Sequence, residues 1–328
     1  MHTDATLAWL LEERDPSVRF FALQQLLGRE PDSPEVLAAQ RAILAHGPVA
    51  AILAQQNADG SWGKPGAFYT DKYRGTVWQV LILAELGADP SDPRVRKAGE
   101  FLLDAAQDRA SGGFSVHASV KLGGGRPSEV IPCLTGNVVW SLLRLGFAGD
   151  DRVARGIDWI CTYQRFDDGE GEAPTGWPYD KFEICWGKHT CHMGVVKALK
   201  ALAAIPEDQR SARCQETVRQ GIAYLLAHHI YRKSHDLRRV AKPGWLHLGF
   251  PLMYQTDILE ILGILRDLGC HDARMDDALA VVRGKRGADG TWTLDNTFNG
   301  KMRVDIEAKG LPSKWLTLKA LRVLEPCA

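Results

Sequence analysis

The strongest constraint on this chain is a helix stop that returns about every sixty residues. The segments "VWQVLILAELG", "NVVWSLLRLG" and "TDILEILGILRDLG" end at Gly87, Gly146 and Gly269, and "MGVVKALKALAAIP" and "WLTLKALRVLEP" end the same pattern at Pro206 and Pro326. Each places leucines or their equivalents at helical spacing, followed by a glycine that can take a left-handed cap or a proline that cannot continue the helix. "DPSVRFFALQQLLG", ending at Gly28, is an earlier copy and brings the number of such helices to six. After three of the stops a new helix begins, at "DPRVRKAGEFLL" from Asp92, "DDRVARGIDWI" from Asp150 and "HDARMDDALAVV" from His271. Asp supplies an N-cap there, and Pro93 suits a first turn.

Between the two helices of each unit lies a polar turn containing glycine. It reads "QQNADGSWG" from Gln55, "QDRASGGFS" from Gln107, "QRFDDGEG" from Gln164 and "KRGADGTWTL" from Lys285, and in three of the four an aromatic residue follows directly. The excursions that lead to the second helices, at 63–72, 112–131, 167–188 and 232–250, are long and unequal. Such loops suit the roof of a closed ring better than the uniform rungs of an open solenoid. Few segments carry strand alternation; "GWLHLGF" reads as an extended linker. The expectation is an all-α (α/α)6 toroid with inner and outer helical barrels, a single domain over 1–328, in which helices at 3–28 complete a ring of repeats running from 35 to 326.

Charge and composition narrow the function. Forty Lys+Arg balance forty Asp+Glu, which leaves no global field to gather nucleic acid. Apolar stretches are interrupted well before the ~18 residues of a membrane span, and the N-terminal sequence lacks the basic and apolar regions of a signal peptide, so a cytoplasmic location is expected. Seven cysteines then read as free thiols or metal ligands rather than as a disulfide framework.

In a ring of this kind the inner helices open at a cavity mouth, so their first turns are the places to look for chemistry. "EICWGKHTCHMGVV" gathers Cys185, His189 and Cys191, and Cys133 begins the preceding inner helix. Thiolate and imidazole are ligands that zinc prefers, which makes these four the candidate metal set; buried, hydrogen-bonded side chains are the alternative. Asp257 is an acid at the start of an apolar helix, where burial could raise its pKa into general-acid range, and a capping role is the alternative. With Asp71 it forms the available carboxylate pair for a carbohydrate-active reading. The candidate substrate contacts are Tyr73, Arg74, Trp78, Arg126, Asn137, Trp186, Tyr254, Lys314 and Trp315. The basic, histidine-rich stretch "HHIYRKSHDLRRVAKPGWLH" could meet a diphosphate or a phospholipid head, which leaves peripheral membrane contact open.

The Gln-x-x-Asp-Gly-x-Trp turn at 56–62, its weaker echoes and the helix pairs resemble the terpenoid cyclases and protein prenyltransferases of the α/α-toroid superfamily, with their squalene-cyclase-like repeats. The resemblance covers about residues 35–326 and implies six inner and six outer helices around an apolar cavity that holds an isoprenoid chain. It also implies a zinc-dependent prenyltransferase chemistry from the "HTC" run at His189–Cys191 and from Cys133, with Lys72, Tyr73, Arg74 and Arg126 near a diphosphate. Two departures stand against a direct transfer. Ile131 occupies the place of the Asp that precedes the zinc cysteine in that family, and the Asp-x-Asp-Asp motif of the cyclases does not occur. The expectation is therefore a cavity for an isoprenoid or other lipid-like small molecule, with catalysis by zinc or by Asp257. The alternative is a non-catalytic lipid-binding or protein-interaction toroid. No obligate protein partner is inferred.

Overall fold

The computed structural model describes residues 4–169 and 171–324. Pro326, the last of the sequence stops, lies outside the described residues. Among the described residues six helices line the ring: α2 (Pro16–Gln25), α5 (Thr76–Glu85), α7 (Pro132–Arg144), α10 (His192–Ala203), α12 (Ile258–Asp267) and α14 (Lys314–Leu324). Their outer partners are α3 (Pro34–Ala45) with α4 (Gly47–Leu53), α6 (Pro93–Ala105), α8 (Asp151–Tyr163), α11 (Ala212–Ala227), α13 (Asp276–Gly284) and, next to α14, α1 (Asp4–Leu10). A four-residue helix, α9 (Glu183–Trp186), lies in the loop before α10. The arrangement is the all-α toroid expected from the repeat. No single described helix is long and apolar enough to cross a membrane.

The short strands form three antiparallel pairs among the described residues. They are β1 (Ala118–Ser119) with β2 (Gly124–Gly125), β3 (Arg232–Lys233) with β4 (Asp236–Val240), and β5 (Trp292–Thr293) with β6 (Pro312–Ser313). All three lie in the excursions or turns, so they decorate the ring and do not build it.

The difference between inner and outer helices is written in their side chains. α5 is buried along its whole length except for Glu85, whereas α6 and α8 bury only one stripe and expose the rest. Asp92 and Asp150 cap α6 and α8 as their sequences imply, each accepting from a backbone N–H two residues on at 2.8 Å.

The glycine-aromatic turns act as latches. In the first turn the Trp62 backbone N–H donates to Thr76 Oγ1 at the start of α5 (3.1 Å), and its Nε1 donates to the Ile52 carbonyl at the end of α4 (2.8 Å). Trp292 repeats both bonds with Thr317 and Val282, and Phe114 repeats the first with Thr135. A single aromatic residue thus pins the end of an outer helix to the beginning of its inner partner. In the first two turns the preceding glutamine ties its unit to the next: Gln56 Nε2 reaches the Arg94 carbonyl and Gln107 Nε2 the Arg152 carbonyl. Gly60 and Gly112, both at positive φ, lie where a Cβ would come within 2.5 and 2.7 Å of the Lys97 and Arg155 carbonyl oxygens, so only glycine admits the neighbouring helix.

Inside the ring α7 and α10 make the closest approach. A Cβ on Gly136 would stand 2.4 Å from the carbonyl carbon and oxygen of Lys197. This contact fixes how the inward faces of the two helices meet, and both faces carry polar groups.

Candidate functional site

A cavity of about 410 Å³ lies among the inner helices, mostly along the C-terminal halves of α2, α5, α7 and α10 and along most of α12 and α14. Phe21, Trp140, Leu259, Ile264, Trp315 and Leu318 supply its apolar wall, and Glu85, Arg144, Lys200, Glu260, Lys319 and Arg322 its polar one. Two expectations are corrected here. The wall of this cavity comes mostly from later turns of the inner helices rather than from their first turns, and it is not simply apolar. On α7 the residues Cys133, Asn137, Trp140 and Arg144 recur at the spacing of one helical face, and Lys197 and Lys200 do the same on α10, so polar groups look along the axis.

Burial without partners would make these charges prohibitive, and they are paired across the ring. The fully buried Lys197 donates to both carboxylate oxygens of Glu260 at 2.8 and 2.7 Å. Lys200 joins Glu260 (3.1 Å) to Glu85, and Lys319 reaches the other oxygen of Glu85 at 3.1 Å. The Lys200 ammonium also lies 3.8 Å from the Trp140 ring centroid. Arg322 pairs with Asp267 at the edge. Burial on its own would raise the pKa values of Glu85 and Glu260. Lys200 and Lys319 outweigh it at Glu85, and Lys197 and Lys200 at Glu260, so both acids are held below the usual carboxylate range. The cavity therefore presents ionised carboxylates already engaged by lysines.

The opposite rim, where the inner helices begin, holds most of the residues expected from the sequence. Tyr73, Trp78 and Tyr254 come together: the Tyr73 and Trp78 rings are 5.3 Å apart, Trp78 and Tyr254 6.1 Å, and Tyr73 and Tyr254 stack at 6.4 Å. Phe298 and Tyr69 complete the group. The ammonium of Lys72 sits over the rings of Tyr254, Tyr69 and Trp78 at 4.5, 5.0 and 5.8 Å. Tyr69, raised by its burial, stays a phenol.

Other expected contacts are engaged elsewhere. Lys314 is buried and bonds Glu12 (2.8 Å) and Asp15 (2.5 Å), tying α14 to the first helices. Trp186 is a core residue, donating to the Val130 carbonyl and packing on Trp159 and Tyr179. Arg126 is exposed and bonds Glu129 and the Ala118 carbonyl, while exposed Arg74 reaches the Lys301 carbonyl. Asn137 is buried and donates to the Met253 carbonyl across the ring, leaving its Oδ1 without a partner. Trp315 does line the cavity, face to face with Phe250 at 4.6 Å.

The two acids behave unlike free catalytic groups. Asp257 is the N-cap of α12: its carboxylate accepts from Glu260 N at 2.8 Å and Gly249 N at 2.9 Å, so both oxygens are occupied. Burial pushes its pKa up to about 6 against those two backbone bonds. Asp71 lies beside Arg303.

The four candidate metal ligands are only partly assembled. The Cys133 thiol is raised well above an ordinary thiol by its neighbour Cys185 and by burial; burial also raises Cys191. His189 is exposed, with Nδ1 against Gly169. Among the described residues no three His, Cys, Asp or Glu side chains converge so as to hold a metal ion.

The residues the sequence reasoning missed are the charges of the cavity. Their signal was present: Lys197, Lys200, Glu85 and Glu260 each stand in a helix that is largely apolar, a placement that is costly unless a partner waits across the ring.

No protein-family profile matches this chain, and no curated protein matches it. Solved structures do. A protein from Actinoplanes is 15% identical over 94% of this chain and 89% of its own, with a TM-score of 0.45. A variant of the type II terpene cyclase MstE from Scytonema, in complex with geranylgeranyl dihydroxybenzoate, is 16% identical over 95% and 86% of the two chains, again at 0.45. A second variant of that cyclase, without ligand, is 15% identical over 98% and 97%, at 0.44. Function is left to this chain's own side chains.

Proposed function

We propose that this protein is a small-molecule-binding toroid whose ligand, carrying an isoprenoid or other lipid-like chain, occupies the central cavity. The observation that carries the reading is the cavity itself. Its volume lies in the ~300–1,000 Å³ range of sites that enclose drug-sized ligands, and it combines aromatic and aliphatic walls with a few convergent charges. Phe21, Trp140 and Trp315 offer flat surfaces to an apolar chain, while the ion pairs keep the polar end in register.

Binding rather than acid catalysis is the activity assigned to this cavity. Glu85 and Glu260 are held as carboxylates by lysines and have no proton to give at neutral pH. Asp257, whose pKa would suit a general acid, has both oxygens committed to backbone donors.

The test is organic extraction of the purified protein followed by mass spectrometry, together with thermal unfolding in the presence of prenyl alcohols and acids. Copurified lipid, or a ligand-dependent rise in Tm of several degrees, is the expected result. A protein that carries no lipid and whose Tm is unmoved by any of them would remove the reading.

A further inference from the structure

The charges around the cavity do not cancel. Each of its carboxylates has a cation: Glu85 has Lys200 and Lys319, Glu260 has Lys197 and Lys200, and Asp267 has Arg322. Arg144, in the last turn of α7, is the remaining cation of the wall. No carboxylate of the described residues lies within 4.0 Å of its guanidinium, which Glu85 reaches only at longer range, and its Cζ lies 5.8 Å from the centroid of the Phe21 ring. Arg144 is exposed and forms part of the cavity wall.

A basic residue in a last turn often serves its own helix by bonding the terminal carbonyls and opposing the dipole. Arg144 makes no such hydrogen bond: the last carbonyls of α7 are taken by the backbone N–H groups of Leu145, Gly146 and Phe147. Among the described residues the guanidinium thus has no hydrogen-bond partner, and it stands beside an apolar wall in a geometry suited to gripping two oxygens of one acid group.

We infer that the ligand of the central cavity is an anionic amphiphile, whose carboxylate or phosphate head is bound by Arg144 and whose chain lies against Phe21, Trp140 and Leu318. The inference rests on the reading of the cavity as a ligand site and adds the chemistry of the head. Carboxylate and phosphate share that chemistry, and both accept the two-pronged contact that a neutral alcohol cannot. The head enters from the C-terminal ends of the inner helices, at the edge where Arg144 and Arg322 stand.

Calorimetric titration of the full chain with dodecanol, dodecanoate and dodecyl phosphate, each below its micellar concentration, tests this. At low salt one or both anions should bind about tenfold or more tightly than the alcohol, as expected for a charge-assisted pair, and the preference should shrink as salt is added. Arg144→Gln should abolish the preference and leave dodecanol binding in place; Arg144→Lys should keep part of it. The tighter of the two anions identifies the head. Equal binding of alcohol and anions, or a preference that survives in Arg144→Gln, would overturn the inference while the cavity reading stands. Failure of all three ligands would overturn both. If Arg144→Gln does not fold, the salt dependence in the unaltered protein decides.

Discussion

Lys197 and Glu260 face each other across the ring from α10 and α12, the lysine ammonium bridging both carboxylate oxygens with no access to water. Removing one partner strands the other in the core. Lys197→Met should cost roughly 3 kcal/mol in urea unfolding, moderated because Lys200 still reaches Glu260. Combining it with Glu260→Leu should recover most of that loss, because no buried charge is then left alone. Two losses that simply add would show that the pair is not coupled.

Gly136 is where α7 and α10 touch. A methyl group there would meet the Lys197 backbone at 2.4 Å, and backbone cannot rotate aside as a side chain can. Gly136→Ala should therefore destabilise by about 1–3 kcal/mol despite its better helix propensity, read as a lower Tm.

Gly263 is the opposite case. It lines the cavity in the middle of α12, and a Cβ there would meet open space. Gly263→Leu should keep or raise the thermal stability, with up to about 1 kcal/mol from helix propensity, and should remove any ligand-dependent shift in Tm by filling the volume the ligand needs. A variant that is as stable as the parent and still binds would place the ligand elsewhere.

His192 is stacked on Trp245 at 4.2 Å beside Tyr224 and His228, with both ring nitrogens buried and unpartnered. Burial pushes its pKa down to about 3. The unfolded chain, with a pKa near 6.5, takes up the proton first as the pH falls, so the stability this neutral imidazole confers is complete above about pH 6.5 and is lost at up to ~1.4 kcal/mol per pH unit down to about pH 3. Asp257 acts with the opposite sign between its unfolded value of about 3.9 and its folded value of about 6. The effect is therefore read as the difference between the parent and His192→Phe, in which the Asp257 contribution cancels. A pH-independent difference would contradict the assignment.

The thiol group at the other rim makes a prediction about metal. With no three ligands converging among the described residues and His189 exposed, protein purified without chelator should carry less than about half an equivalent of zinc, and Cys133→Ala should leave that content unchanged. A full equivalent that disappears with Cys133→Ala would restore the zinc centre expected from the sequence.

The parts of this fold that could be read in advance are those set by neighbours in the chain. Leucine spacing and the glycine stops mark α5, α7 and α12 because helix periodicity and termination are local properties. Asp92 and Asp150 announced their caps for the same reason. The latches were half visible: Trp62 and Trp292 stand out, but the threonines that receive their N–H groups lie 14 and 25 residues further on, at a distance that no local pattern fixes. The polar centre was hidden because its partners belong to different repeats, Glu85 and Lys200 being 115 residues apart. At the N-terminal rim the grouping of Tyr73, Trp78 and Tyr254 followed from their shared position in the repeat. The same rule failed for Lys314, which the ring uses for closure.

That closure gives the chain an unusual freedom. Lys314 grips Glu12 and Asp15 across about three hundred residues, so the first and last helices meet as any two adjacent units do. A circle assembled from like pairs has no preferred point of opening. Joining the ends by a short linker and cutting in an exposed excursion, such as the Ser119–Gly123 turn, should yield a permuted chain with the same centre. Where the polypeptide starts would then be an accident of its history rather than a requirement of its shape.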